Sequence, residues 1–382
     1  MGCILGIESS CDETAASVVD DALRVRASVV ASQHDLHREY GGVVPEIASR
    51  AHLERIVPVV ERALAEAGLR IDEIDAIAAG VRPGLIGSLL VGASAAKGLA
   101  WARGVPFHAI DHVAAHLFAG VLRGRDDDAA VDHAAVNHAA VNHAARFPAL
   151  GLVVSGGHTS LFRLASAIDC ALVGRTIDDA VGEALDKAAS MLGLPHPGGP
   201  NLERLAETGS AEALRFPLPQ LANALDFSLS GLKTKLLYEI RGVPQGRGAA
   251  STFARSVDDL PLSRRADLAA SFQKAAIAQV IDRLSRAADA DAPRALFVGG
   301  GVVANRSLRR ELVAWSLERG VALVVPEPRY CADNAAMIAG YAQLRRMLGD
   351  VGDDLSVPAE AVSLLARGAP VKRGGQGAKR VQ

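Results

Sequence analysis

The chain opens with apolar runs broken by short polar turns. Cys3 to Glu8 is apolar up to its final acid, Ser9 to Thr14 is a polar turn, and Ala15 to Asp20 is β-like again. That order predicts a strand–turn–strand unit, which Val25 to Ala31 extends by a third strand. From Pro45 the period changes. Ile47, Leu53, Ile56, Val60 and Leu64 then share one side of a helix that Gly68 ends, with Pro58 inside it as a candidate kink. Ile74 to Ala79 reads as a buried strand, and Gly84 to Ala102 as a helix reached through a glycine-rich turn. The first device returns in mid-chain: Leu152 to Val154 is β-like, Ser155-Gly156-Gly157-His158 turns, and Thr159 to Phe162 resumes the strand. A further glycine turn, Gly299-Gly300-Gly301, follows the buried run Ala295 to Val298 and precedes a helix from about Asn305. Two such units, each followed by sheet and helix segments, predict an α/β chain of two related halves.

Composition adds to this picture. At 382 residues the chain suits two lobes rather than one core. Hydrophobic residues make up 49% but aromatics only 4%, so Ala, Val, Leu and Ile must build the interior. The formal charge of -2 excludes a uniformly basic coat, though not a local basic patch. Cys3, Cys11, Cys170 and Cys331 lie far apart and form no CxxC pair, which argues against a disulfide framework and for a reducing compartment. An acid follows the first few residues before any signal-peptide apolar region develops. The most apolar stretch, Leu85 to Ala96, is too short and too rich in Gly and Ser to span a bilayer. A cytoplasmic protein with no membrane partner is the expectation. Two segments interrupt the order: a five-residue repeat over 130–144, and a Gly-, Pro-, Ser- and Arg-rich loop over 243–260. Arg367 to Gln382 is Gly-rich and basic, with the composition of a disordered tail.

Several motifs carry chemistry. His112 and His116 stand at i and i+4, so on a helix both imidazoles share a face, a workable chelating geometry. A hydrogen-bonded structural pair would look the same in sequence. The motif lacks the glutamate of the His-Glu-x-x-His peptidases, so no general base accompanies it. Asp333 is a candidate third ligand, its plain alternative being a helix N-cap. Two His and one carboxylate with open positions favour Fe(II) over a closed zinc site. His133, His138 and His143 recur every five residues and so leave any one helical face; they read as part of a low-complexity loop. The Ser155-Gly156-Gly157 turn is small where backbone amides could approach a phosphate, as is the turn bearing Ser9, Ser10, Cys11, Asp12, Glu13 and Thr14, although hairpins also need such residues. Asp186 on an amphipathic helix, the turn Pro197-Gly198-Gly199-Pro200, and Glu203 beyond it have equally plain readings. Gly299 to Asn305 lacks the spacing and downstream acid of a dinucleotide fingerprint.

The order of these motifs is more specific than any one of them. Gly6 to Thr14, Val44 to His52, His112-x-x-x-His116, Val154 to Thr159, Asp178 to Glu183, Pro197 to Pro200, Gly299-Gly300-Gly301-Val302-x-x-Asn305 and Cys331-x-Asp333-Asn334 together resemble the bacterial TsaD (formerly Gcp or YgjD) family, over about residues 3 to 347. The resemblance implies a two-lobed actin-like ATPase (ASKHA) fold, two related sheet-and-helix lobes around a nucleotide cleft. It divides the chain into an N-terminal lobe (1–111), a C-terminal lobe (112–334) with an insertion over 125–147, a helix over 335–348 packing back on the first lobe, and a largely flexible tail over 349–382. It also implies an activity, tRNA N6-adenosine threonylcarbamoyltransferase. The threonylcarbamoyl group of L-threonylcarbamoyl-AMP passes to the adenosine 3′-adjacent to the anticodon (position 37 of the tRNA), in tRNAs reading codons that begin with A, and AMP leaves.

Carried over by position, His112, His116 and Asp333 would hold one Fe(II) per subunit, zinc being accepted by the same ligands. Val153, Val154, Ser155, Gly156, Gly157, Asp186, Gly199, Asn305 and Glu203 would bind the adenylate, and Asp12 would serve as the catalytic carboxylate near the reacting group. A magnesium nucleotide in the cleft stays open. The partners implied are tRNA, an inactive shorter paralogue (TsaB-like), an ATPase (TsaE-like) and an upstream synthase that makes the adenylate. Three rivals weigh less. A metallopeptidase lacks its glutamate, a sugar or acetate kinase has no use for the two histidines, and a non-catalytic nucleotide binder has no need to keep all three ligands.

Overall fold

The computed structural model describes residues 2–40, 42–124, 146–245 and 252–365. Ten strands form two five-stranded mixed sheets. The first holds β1 (Cys3–Glu8), β2 (Glu13–Asp20), β3 (Val25–Ser32), β4 (Ala76–Arg82) and β5 (Phe107–Asp111), in the order β3-β2-β1-β4-β5. The second holds β6 (Ala149–Val154), β7 (Thr159–Leu164), β8 (Cys170–Arg175), β9 (Ala295–Gly299) and β10 (Ala322–Val324), in the order β10-β9-β6-β7-β8. In each sheet the first strand is central. Two antiparallel neighbours follow on one side and two parallel ones on the other. The two halves are therefore related strand for strand, as the recurring turn pattern implied.

Helices cover the sheets. The first lobe carries α1 (His34–His37), α2 (Pro45–Ala67) and α3 (Ile86–Arg103); α4 (His112–Phe118) follows β5. The second lobe carries α5 (Val181–Met191), α6 (Gly198–Ala206), α7 (Ser230–Arg241), α8 (Leu262–Asp291) and α9 (Arg306–Arg319). The last helix, α10 (Ala335–Met347), packs on β1 and β2 of the first sheet and on α4. With α2 and α3 on one face and α10 on the other, β1 has all six residues buried. Its unbroken apolar run fits a strand covered on both sides.

Two expectations need correction. The buried side of α2 is Ala48, Ala51, His52, Ile56, Val59, Val60, Ala63 and Ala67, while Leu53 is 65% exposed. Large residues suggested one face, but small alanines let the helix lie close on the sheet, and Leu53 faces away. Pro58 is accommodated within the helix, which runs on to Ala67. Second, the chain from Asp350 to Leu365 is not a loose tail. Asp353 N–H donates to the Phe107 carbonyl (2.7 Å), Ala109 N–H donates to Asp353 Oδ2 (2.9 Å), and Glu360 N–H donates to the Val81 carbonyl (2.9 Å). The cause is Arg345, 3% exposed, whose guanidinium needs carboxylates and takes Asp353 (3.0 Å) and Asp350 (2.5 Å) while also bonding the Ala109 carbonyl. The rest of the expected tail, 366–382, lies outside the described residues, as do the repeat over 130–144 and residues 246–251 of the expected loop.

Close backbone approach joins the two sheets at α4. A Cβ built on Gly299 would collide with the main chain of His116, and one on Gly300 with that of Val154. Gly300 also adopts φ 100°, a conformation that suits glycine. Gly299→Ala should therefore displace α4 at a cost of about 1–3 kcal/mol. Urea unfolding checks this: the transition midpoint should fall, and an unchanged midpoint would show that the helix yields freely.

Candidate functional site

Asp111 ends β5 and caps α4, its Oδ1 accepting the N–H of Val113 (3.0 Å) and Ala114 (3.3 Å). The next residue, His112, and His116 one turn on point the same way. Their rings meet edge to face, centroids 4.6 Å apart. Asp333 lies just before Asn334, which caps α10 by accepting the Met337 N–H (2.9 Å). The capping role open to Asp333 thus falls to its neighbour, and Asp333 turns instead to the histidines. Its Oδ1 lies 3.0 Å from His116 Nε2 and 3.2 Å from His112 Nε2. One ligand atom from each of the three lies within 4.8 Å of the others.

The surroundings suit a cation. Glu8, wholly buried at the end of β1, accepts the Ser10 N–H on Oε1 (2.5 Å), and its Oε2 lies 3.1 Å from His112 Nδ1. An Nδ1–H bond to Glu8 frees the Nε2 lone pair for a metal, the carboxylate–histidine support common behind metal ligands. Burial alone would lower the pKa of His112, but Asp333 and Glu8 push it well above the usual imidazole value. Burial alone would raise the pKa of Asp333, but His112 and His116 hold it well below the usual carboxylate range. The negative field thus comes from both sides of the His112 ring. Two imidazoles and one carboxylate oxygen fit Fe(II) or Zn(II), with positions left for other ligands. His116 Nδ1, by contrast, is buried with no hydrogen-bond partner among the described residues.

The mid-chain turn lies beside this cluster. Ser155 N–H donates to the His158 carbonyl (2.7 Å), His158 N–H donates to Ser155 Oγ (3.0 Å), and Gly182 at the start of α5 donates to the Ser155 carbonyl (3.2 Å). Burial first, then the nearby His112 and His116, push the His158 pKa down to about 4, so this ring stays neutral. No atom lies within 4 Å of where a side chain on Gly156 or Gly157 would begin. Val153 and Val154 bury their side chains completely, so only their main chain could serve a ligand.

Asp186 Oδ1 accepts the Gly199 N–H (2.7 Å), pinning the start of α6 against α5. Gly156, Asp186, His196 and Gly198, with Val43 from the first lobe, line a cavity of about 800 Å³. Its volume suits a nucleotide-sized ligand. His196, from that lining, and His34 of the first lobe bring their ring centroids to 5.8 Å.

Other expected residues are already engaged. Asn305 caps α9, accepting the Leu308 N–H (2.9 Å), and donates from Nδ2 to Gln273 Oε1 (2.9 Å). Glu203 accepts the Arg306 N–H (2.6 Å). Neither Asn305 nor Glu203 is in the lining of the 800 Å³ cavity. Asp12, on the turn after β1, groups with Glu13 and His34 rather than with the two histidines and Asp333, its Oδ2 lying 4.0 Å from His34 Nδ1. Reading the sequence missed Glu8 and Ser10 as supports of His112, and His34 and His196 as a contact between lobes. A signal existed for Glu8: an acid closing a wholly apolar strand must find donors if that strand is central.

Residues 24–131 and 129–340 match the family model for TsaD, tRNA N6-adenosine threonylcarbamoyltransferase. A tRNA N6-adenosine threonylcarbamoyltransferase of Symbiobacterium thermophilum is 46% identical over 342 residues, covering 89% of this chain and 91% of its own. One from Anaeromyxobacter dehalogenans is 45% identical over 358 residues, covering 92% and 97%. Among solved structures, full-length HypF in a phosphate- and nucleotide-bound form aligns with a TM-score of 0.53 at 11% identity, covering 94% of this chain and 56% of that one. HypF of T. kodakarensis aligns at 0.51 and 15% identity, covering 90% and 47%. Those two likenesses show the shared two-lobed α/β fold. With a family model matched along most of its length and relatives this similar end to end, the chain belongs to the tRNA N6-adenosine threonylcarbamoyltransferase family.

Proposed function

We propose that this chain transfers the threonylcarbamoyl group of L-threonylcarbamoyl-AMP to N6 of the adenosine 3′-adjacent to the anticodon, releasing AMP. The observation that carries the reading is the His112, His116 and Asp333 cluster lying near His158, in the same turn as the open Gly156 and Gly157. A mixed anhydride already has a good leaving group, so no covalent protein nucleophile is needed. The N6 lone pair attacks the carbonyl carbon, the bond to the phosphate oxygen breaks, and AMP departs with that electron pair. Main-chain amides of Gly156 and Gly157 cradle the phosphate as its charge grows, while the Ser155 N–H holds the turn through the His158 carbonyl. Asp186 holds the Gly199 turn at the cavity, and Asn305 and Glu203 fix the start of α9, outside the cavity lining. Asp12 takes the proton that N6 loses. His112, His116 and Asp333 hold Fe(II), or zinc; when bound, the ion supplies Lewis-acid stabilisation to an oxygen of the substrate. A magnesium nucleotide is a second occupant that the cavity would admit.

The partner reading also has a surface. Gly87 lets α3 lie directly against Ser49 of α2, and beyond that contact the two helices expose Leu53 (65%), Val57 (60%), Ile86 (43%) and Leu90 (51%). An apolar patch on two adjacent helices is suited to docking another helical face. We assign it to the shorter inactive paralogue; the ATPase and the upstream synthase complete the set of partners. No helix among the described residues is long and apolar enough to cross a membrane, and all four cysteines are free. Both features accord with the cytoplasm as its site of action.

Three tests follow. Incubated with ATP, threonine, bicarbonate, tRNA and the three partners, the purified chain should yield threonylcarbamoyladenosine on digestion of the tRNA; an unmodified digest would end the reading. His112→Ala combined with His116→Ala should leave less than about a tenth of the parent's bound iron, measured by elemental analysis. Stoichiometric metal in that variant would remove the ligand assignment. Leu53→Glu with Leu90→Glu should weaken paralogue association at least about a hundredfold by sedimentation, with iron content unchanged. Equal association would place the docking surface elsewhere.

A further inference from the structure

Asp111 does more than cap the histidine helix. Its Oδ1 accepts Val113 and Ala114, while its Oδ2 accepts the Ser363 hydroxyl (2.7 Å) and the Leu364 N–H (3.0 Å). All four bonds form around a side chain only 4% exposed residue-wide, and Ser363 is buried to the same degree. Ser363 Oγ in turn accepts the Leu365 N–H (3.1 Å), and Leu365 sits fully buried in the core that contains Val113, Phe118 and Tyr341. The same C-terminal segment pairs with the edge of β5 through Asp353, extends β4 at Glu360, and takes the Lys97 ammonium on the Val357 carbonyl (2.5 Å).

The geometry is that of a strap across the root of the metal centre. α4 has seven residues, too few to be stable as an isolated helix. Its first residue is His112, and the bonds fixing where it starts run through one carboxylate to a segment some 250 residues away in sequence, a separation of 252 between Asp111 and Ser363. α10, which begins just after Asp333, reaches the same strap at its other end, where Arg345 bonds the Ala109 carbonyl and Asp353. Both elements that carry the ligands are thus tied to residues 350–365. We propose that this segment positions the metal-binding helix, with Asp111 and Ser363 as positioning residues. The inference rests on the metal reading given above and concerns this chain's own scaffold.

The test uses the full chain with zinc alone, its dissociation constant set by competition with a chromophoric chelator. Amide exchange over residues 112–118 is followed in parallel without metal. Ser363→Ala should weaken zinc about tenfold and speed exchange in that segment roughly fivefold, while Ser363→Thr, which keeps the hydroxyl, restores both. Glu360→Gln, which alters the strap away from Asp111, should leave zinc affinity at the parent value. Asp111→Ala should exceed Ser363→Ala in both measurements; should it fail to fold, the serine pair still decides. Parental zinc affinity and parental exchange in Ser363→Ala overturn the strap. A parent chain that binds no zinc, with exchange still quickened by Ser363→Ala, overturns the metal reading and leaves the strap standing.

Discussion

A buried carboxylate organises this molecule. Glu8 closes a strand covered on both faces, and no water reaches it to offset the charge. It must be met by donors, and the structure provides the Ser10 amide and the His112 ring. Through the ring, the constraint passes to Asp333, whose charge answers from the other side. The central strand of the first sheet, the turn after it, the start of α4 and the approach to α10 are thereby fixed on one another. None of these contacts is an exposed ion pair of the kind worth little. Removing the His112 ring would leave the buried Glu8 carboxylate without that partner.

The matching strand orders of the two sheets place two equivalent turns near this cluster. The Ser9–Asp12 turn and the Ser155–His158 turn occupy equivalent places, each between a central strand and its antiparallel neighbour. The first turn directs Ser10 toward His112; the second sets His158 beside both histidines and leaves Gly156 and Gly157 open. Equivalent corners thus do different tasks, the first bonding the His112 ring and the second leaving open space at Gly156 and Gly157. The lobes come together at His34 and His196, close to the cavity that Val43 and Gly156 share.

Much of this was legible along the chain because it is local. Strand–turn–strand units announce themselves by period and by small residues, and a pair of histidines four apart announces a shared face. What escaped was anything decided by a distant partner. Leu53 matched the apolar period of α2 yet lies outside, because the sheet accepts alanines at closer range than leucines. Asp350, Asp353 and Ser363 look like polar tail residues until Arg345 and Asp111 supply the reason for their places. Asp333 had two readings in sequence, cap or ligand, and in the fold its neighbour Asn334 takes the cap.

The triple glycine shows the same point in the other direction. In sequence, Gly299-Gly300-Gly301 reads as a single turn between a buried strand and a helix. In the fold its members answer to different neighbours. Gly299 is small so that the His116 main chain can pass, and Gly300 is small because φ is positive and the Val154 carbonyl lies against it. Only Gly301 has open space where a side chain would begin. Two of the three glycines therefore couple the histidine helix to the strand that enters the mid-chain turn, and open space is left only at the third. A turn so divided makes the helix of His112 and His116 and the turn after Val154 parts of one rigid corner. Moving either one would require the main chain of the other to move with it.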